Sequence, residues 1–365
     1  MALHLTGGFA LGAGRRYSRC TSTEDGDWLM RWKGMFAAVR EQGDSHRKKL
    51  WEGKLAVFPV IAFCLLFFPS SVAANKESLP RLPGAAFLVG RFPEDLAVTV
   101  GERTAEIQGG GGWEVSPSIS ADGRIVASAR MIPNNSLESK PTFIVGTYDI
   151  SANEWRDYLD LEIKGGSVAI SPDGSKLACS KMAMGDEVIH LLDLRTGKIS
   201  IGPETTNGAI FLSWSPDGRR IAFSKDVERS TDGTPISLPE IYVLNIKDGT
   251  VSRIAEGTAP SWSPSGEWIA FSDYSVFHHG KYADTAFRLS MIHPDGTGLV
   301  ALLNRGEDLF RPAVWSPDSK DLLLQKPEED SVNPRVNVYM LDLATLNLTA
   351  KFRKTPEVYG WATAR

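Results

Sequence analysis

Five segments of the chain share one local grammar: a serine, a turn built on proline, aspartate and glycine, then a short apolar run. They read SADGRIVAS at Ser120–Ser128, SPDGSKLACS at Ser171–Ser180, SPDGRRIAFS at Ser215–Ser224, SPSGEWIAFS at Ser263–Ser272 and SPDSKDLLLQ at Ser316–Gln325. Their first serines are spaced by 44 to 53 residues. A period of that length, with strand-like runs on both sides of a tight turn, marks a β-propeller with one copy per blade. This constrains function as well as fold, because a propeller binds through its faces.

The third copy shows why each repeat makes a blade. Ile210–Trp214 is an apolar, tryptophan-bearing inner strand. Pro216 presets φ at the first corner of the turn, Asp217 accepts local backbone bonds and Gly218 supplies positive φ. Arg220–Ser224 then runs as a second strand, with Ile221 and Phe223 on one face by the two-residue period. Glu240–Ile246 (EIYVLNI) is a third strand rich in β-branched and aromatic residues. Lys247-Asp248-Gly249 turns the chain into a fourth strand at Thr250–Ala255. The other copies repeat the pattern. Tyr359-Gly360-Trp361 resembles another inner strand, and Ala85–Gly90, Leu96–Val100 and Thr104–Gln108 resemble the three strands that follow one. The expected fold is therefore all-β: a six-bladed propeller whose sixth blade is closed by N- and C-terminal strands, which removes open sheet edges.

Trp214–Ser224 (WSPDGRRIAFS), followed by Ile241-Tyr242-Val243, resembles the TolB-type propeller repeat; Trp262–Ser272 and Trp315–Asp318 match it too. The resemblance covers residues 79–365. It implies a six-bladed, WD-repeat-like propeller. The named member of that family is periplasmic, carries a separate N-terminal domain and works with membrane partners of the Tol-Pal system. That domain has no counterpart between Ala74 and Leu79. Related propellers also cap prolyl-oligopeptidase-type hydrolases, but this sequence shows no Gly-x-Ser-x-Gly elbow.

Ahead of the repeats, Leu55–Phe68 (LAVFPVIAFCLLFF) carries no charge. Arg47, Lys48, Lys49 and Lys54 flank it, and a small-residue exit ends at Ala74. A basic flank, a short apolar run and small residues at Val72 and Ala74 describe a cleavable secretory signal, the competing reading being an uncleaved membrane-anchoring helix. Residues 1–54 read as a disordered leader or a mis-assigned start, with Met30 and Met35 as alternative starts. The expected location is periplasmic or otherwise exported, with the membrane touched only through residues 55–74.

The 365 residues carry a formal net charge of -4, and this mild acidic excess offers no basic footprint for nucleic acid. Asp122, Asp173, Asp217 and Asp318 recur once per blade and read as turn-formers rather than a catalytic set. Trp214, Trp262 and Trp315 read as packing between sheets, and Cys179 as a small buried hydrophobe. The informative positions are four insertions between second and third strands: Met131–Lys140, Lys225–Pro239, Asp273–Thr285 and Lys326–Pro334. All should gather on the face opposite the Ser-Pro-Asp-Gly turns, where long loops are a usual place for function. The fourth-blade insertion holds Asp273, Tyr274, Phe277, His278, His279, Tyr282 and Asp284, the candidate partner-binding residues. Adjacent histidines point apart on a strand and share an ion only in a bent loop, so no metal or cofactor is assigned. The leading expectation is an exported, monomeric, non-catalytic propeller that binds a protein or cell-envelope component. The alternative is a hydrolase or lyase acting on a sugar or peptide in the central pocket, built from residues of several blades.

Overall fold

The serine of each repeat decides where the chain reverses. In the computed structural model, Ser120, Ser171, Ser215 and Ser316 donate their hydroxyls to Asp122, Asp173, Asp217 and Asp318 at 2.6–2.7 Å. The same hydroxyl oxygens accept the N–H groups of Ile125, Lys176, Arg220 and Asp321 at 2.9 Å. Gly123, Gly174 and Gly218 sit at φ between 65° and 73°, and their N–H groups return to the serine carbonyls at 2.9 Å. In the fourth copy Ser265 replaces the aspartate and lies 3.0 Å from Ser263. Each aspartate is consumed by its own turn, as its position in the repeat predicted.

These turns also set an acid limit on stability. Burial opposes the charge on Asp173 and Asp217. Hydrogen bonds from Ser171 and Ser175, and from Ser215 and the Arg219 N–H, outweigh it and hold both carboxyls below the usual range. The Ser316 hydroxyl is the main cause of the same shift at Asp318. A carboxyl lowered by folding stabilises the protein above its unfolded pKa of about 3.9, and that contribution is lost as pH falls through the folded value. The melting temperature should therefore change little from these groups between pH 7 and 5 and fall steeply below about pH 4. Asp217→Asn should melt lower at neutral pH yet lose less on acidification. Melts followed by circular dichroism check this, and a parallel acid response in the two proteins would refute it.

The structure describes residues 85–363 except 92–93, 101–102, 108–112, 133–141, 164–166, 184–185, 232–233, 280–281, 304–312, 328–335 and 356. The apolar segment at 55–74, expected as a signal or anchor helix, lies outside the described residues, as does the leader before it. The chain opens with β1 (Ala85–Arg91), β2 (Glu94–Val100) and β3 (Arg103–Ile107). Blade 1 follows as β4 (Trp113–Ile119), β5 (Ile125–Ile132), β6 (Thr142–Asp149) and β7 (Glu154–Ile163). Blade 2 is β8 (Val168–Ile170), β9 (Lys176–Ala183), β10 (Asp186–Asp193) and β11 (Ile199–Ile201). Blade 3 is β12 (Ile210–Trp214), β13 (Arg220–Thr231), β14 (Thr234–Asn245) and β15 (Val251–Glu256). Blade 4 is β16 (Thr258–Trp262), β17 (Ile269–His279), β18 (Tyr282–Ile292) and β19 (Val300–Leu303). Blade 5 is β20 (Val314–Trp315), β21 (Asp321–Pro327), β22 (Val336–Asp342) and β23 (Leu348–Thr355), and β24 (Glu357–Thr363) ends the chain.

Every blade is a four-stranded antiparallel sheet paired in chain order, apart from the sixth, whose order is β24-β1-β2-β3. The expected mixed blade is thus formed, with Phe87 opposite Trp361 and Ala85 opposite Thr363. Gln325 supports this closure from blade 5. Its Nε2 donates to the Val358 carbonyl at 2.6 Å and its Oε1 accepts the Val358 N–H at 2.8 Å.

The core lies between the sheets. Six apolar clusters each join two adjacent blades, for example Phe223, Ile221 and Leu244 of blade 3 with Ala178 and Ile189 of blade 2. The motif tryptophans act as expected: Trp214 Nε1 donates to the Ala169 carbonyl and Trp315 Nε1 to that of Ser261, each in the preceding blade's inner strand, at 3.0 and 2.9 Å. Cys179 is fully buried in the cluster between blades 1 and 2.

In such a meander the Ser-Pro-Asp-Gly turns share one face with the turns between third and fourth strands. The second-to-third connections and the links between blades share the other. On the turn face neighbouring repeats interlock: Ala121 N–H donates to the Pro172 carbonyl, Ser265 N–H to Ser319 Oγ, and Thr363 N–H to the Ala121 carbonyl.

Candidate functional site: the hairpins of blades 3 and 4

On the opposite face, two of the four insertions fall largely within the described residues and differ from the loops expected of them, while 133–140 and 328–334 lie outside the described residues. Lys225–Pro239 and Asp273–Thr285 are prolongations of strands. In blade 3 the pairing runs on from Lys225 with Glu240 to Thr231 with Thr234, six further pairs. In blade 4 it runs from Asp273 with Arg288 to His279 with Tyr282, again six. In the sequence, Asp232-Gly233 and Gly280-Lys281 separate the two strands of each ribbon. Asp-Gly between strand-like runs is a two-residue hairpin signal. That signal was present in the sequence but was masked there by the charged residues around it.

At the base of the blade 3 ribbon sits an ion cluster that strand patterning missed. Glu240 opens β14, and its side chain is 4% exposed. It accepts Tyr242 Oη at 2.6 Å, Arg253 Nε at 2.9 Å and Arg229 Nη2. Glu256 takes the other arms of the same arginines, Arg229 Nη1 at 2.8 Å and Arg253 Nη2 at 3.2 Å. The register explains the cluster. Glu240 stands directly opposite Glu256 on β15, and like charges opposite one another need counter-ions. Lys225 sits over the Tyr242 ring at 4.8 Å and donates to the Thr205 carbonyl at 3.0 Å.

Burial alone would raise the Glu240 carboxyl, but the bonds from Tyr242, Arg229 and Arg253 hold it below the usual range. It therefore stays ionised near neutrality. Tyr242 is pushed up to about 12 by burial and by the adjacent Glu240 carboxylate. Tyr274 is likewise pushed up to about 12, by burial and then by Glu256.

The sequence candidates of blade 4 are divided by this geometry. Asp273 and Tyr274 lie at the ribbon base and are buried. Asp273 accepts Arg288 Nε at 2.6 Å and Ser290 Oγ at 3.3 Å. Phe277, His278 and His279 lie further up β17, and Tyr282 and Asp284 on β18, with Phe277 opposite Asp284 and His278 opposite Ala283. The bent loop that two adjacent histidines would need to share an ion is here a strand pair. Among the described residues no group of three or more His, Cys, Asp or Glu is arranged to hold a metal.

No model of a known protein family matches the chain. A stretch is 28% identical over 130 residues to dipeptidyl-peptidase 5 of Porphyromonas gingivalis, covering 33% of this chain and 18% of that relative. The chain thus matches less than a fifth of that relative's length. TolB from Acinetobacter baumannii superposes with a TM-score of 0.54 at 18% identity, covering 76% of this chain and 66% of the other. A chain in a nidogen/laminin complex gives 0.54 at 11% identity, covering 77% and 99%. The protein is a six-bladed β-propeller of the fold seen in TolB-type structures.

Proposed function

We propose that this propeller is an exported binding module that engages a protein or cell-envelope partner through the ribbons of blades 3 and 4. The observation that carries this reading is the pair of ribbons itself. Each continues six residue pairs past its base, about 20 Å at about 3.3 Å per residue. A two-stranded ribbon gains little stability in water by itself. Two of matched length on neighbouring blades therefore point to a role outside the fold. The apolar run at 55–74 with its basic flank supports export. TolB-type and nidogen-type neighbours support a propeller scaffold.

The test replaces residues 276–285 by Asn-Gly, keeping Asp273, Arg288 and the blade intact. Partners are captured from an envelope extract with the full chain and with this variant, both verified as folded by circular dichroism. The variant is expected to lose a defined subset of partners. Identical partner sets for the two proteins would remove the blade 4 ribbon from the binding surface.

The stretch similar to dipeptidyl-peptidase 5 supports a second reading, a propeller that serves peptide hydrolysis. Release of a chromogenic group from dipeptide substrates by the purified chain would favour it over the first.

A further inference from the structure

We propose that Glu240 is a positioning residue: by gathering Arg229 from the ribbon and Arg253 from the outer strand around one buried carboxylate, it sets the angle at which the blade 3 ribbon stands on the propeller. The inference rests on the reading of the ribbons as the binding element, and it names what holds one of them in place.

Lys225 lies five residues after Arg220, whose carbonyl closes the blade 3 turn. The matching residues are Arg130, Lys181, Asp273 and Lys326 in blades 1, 2, 4 and 5. Opposite them on the third strands stand Glu240 in blade 3 and, in the same blade order, Ile144, Val188, Arg288 and Asn337. Among the described residues, blades 1, 2 and 5 pair for one or two residues beyond this level, and there the third-strand position is apolar or a neutral amide. Among the described residues, the two blades seen to continue as ribbons both carry an acid-base pair at this level, and in both the carboxylate is buried. The polarity is reversed between them: Lys225 faces Glu240, whereas Asp273 faces Arg288.

Ile144 and Val188 show that the blade itself is satisfied by an apolar residue here. A buried carboxylate is a weak source of net stability, because desolvation offsets much of its attraction to a partner. What it supplies is direction. Arg229, four residues up the ribbon from Lys225, reaches back to Glu240 with one arm and to Glu256 with the other. Arg253 bridges the same two carboxylates from β15. A planar guanidinium held by two acceptors fixes orientation as well as distance. The ribbon is thereby tied to the outer strand at a second point, beyond its continuity with the sheet.

Amide hydrogen exchange of the full chain tests this. In Glu240→Gln, amides of 226–238 should exchange at least tenfold faster, while the blade 4 ribbon and the strands of blades 1 and 2 keep wild-type rates. Arg229→Ala should reproduce the effect with the Glu240–Arg253 pair intact. Its side chain is 40% exposed, so this variant decides the matter if Glu240→Gln does not fold. Unchanged exchange in the ribbon of a folded variant would overturn the proposal, and so would acceleration spread evenly over all six blades. The measurement involves no partner. A loosened ribbon with unaltered partner capture would therefore retain the positioning role and count against the binding reading.

Discussion

Phe223→Ala is expected to lower the free energy of unfolding by about 3–5 kcal/mol. Phe223 is fully buried between blades 2 and 3 and stacks on Tyr242 at a centroid distance of 5.6 Å. The magnitude depends on whether the site can collapse. Its surroundings include Ala169, Ala178 and Ala209, residues with no side-chain length to swing into a void. Trp214 is tied to the Ala169 carbonyl and is not available to follow. The cavity should therefore persist and the loss lie toward the upper end. Urea denaturation checks this: the midpoint should fall with little change in slope, since the surface exposed on unfolding is nearly conserved. A loss below about 1 kcal/mol would show that the blades close up on one another after all.

The second large effect is expected at the ring closure. Gln325→Leu keeps the side chain's approximate size but leaves the Val358 N–H and carbonyl without their partner. Val358 is 1% exposed, so water does not replace the lost bonds. Each orphaned group costs about 1–3 kcal/mol, for a total of about 2–6 kcal/mol. The damage should also be local. Without Gln325, β24 depends more heavily on its pairing with β1, so the strand at 357–363 should become the first segment to open. Limited proteolysis followed by mass spectrometry should show early cleavage there. Wild-type resistance of the C-terminal strand would mean that the β1 pairing is sufficient alone.

The fold was legible in the sequence because its determinants are local. Ser215, Asp217 and Gly218 lie within four residues of one another and specify a turn by themselves. Repetition of that turn specifies the blade, and the two incomplete ends specify the mixed sixth blade. Gln325 was visible only as a decayed copy of the motif serine, although its amide is what reaches the next blade. The candidate site was less legible because it is made by pairing across strands. Glu240 and Glu256 are sixteen residues apart in sequence, and their opposition follows only from the register of β14 on β15. Arg229 lies in sequence among Asp226, Glu228 and Asp232, with nothing local to mark it as a ligand of Glu240. By sequence Asp273 reads as part of an epitope, yet its carboxylate is occupied by Arg288 and Ser290 at the ribbon base.

The mixed blade also decides where a fusion partner can be attached. Ala85 begins β1 directly opposite Thr363 at the end of β24, and Thr363 is bonded to the turn at Ala121. The polypeptide therefore enters and leaves the propeller side by side, on the end that carries the Ser-Pro-Asp-Gly turns. A tether, tag or immobilising surface joined at either position meets that end first. The ribbons project from the opposite end, where they stay clear of both attachment points.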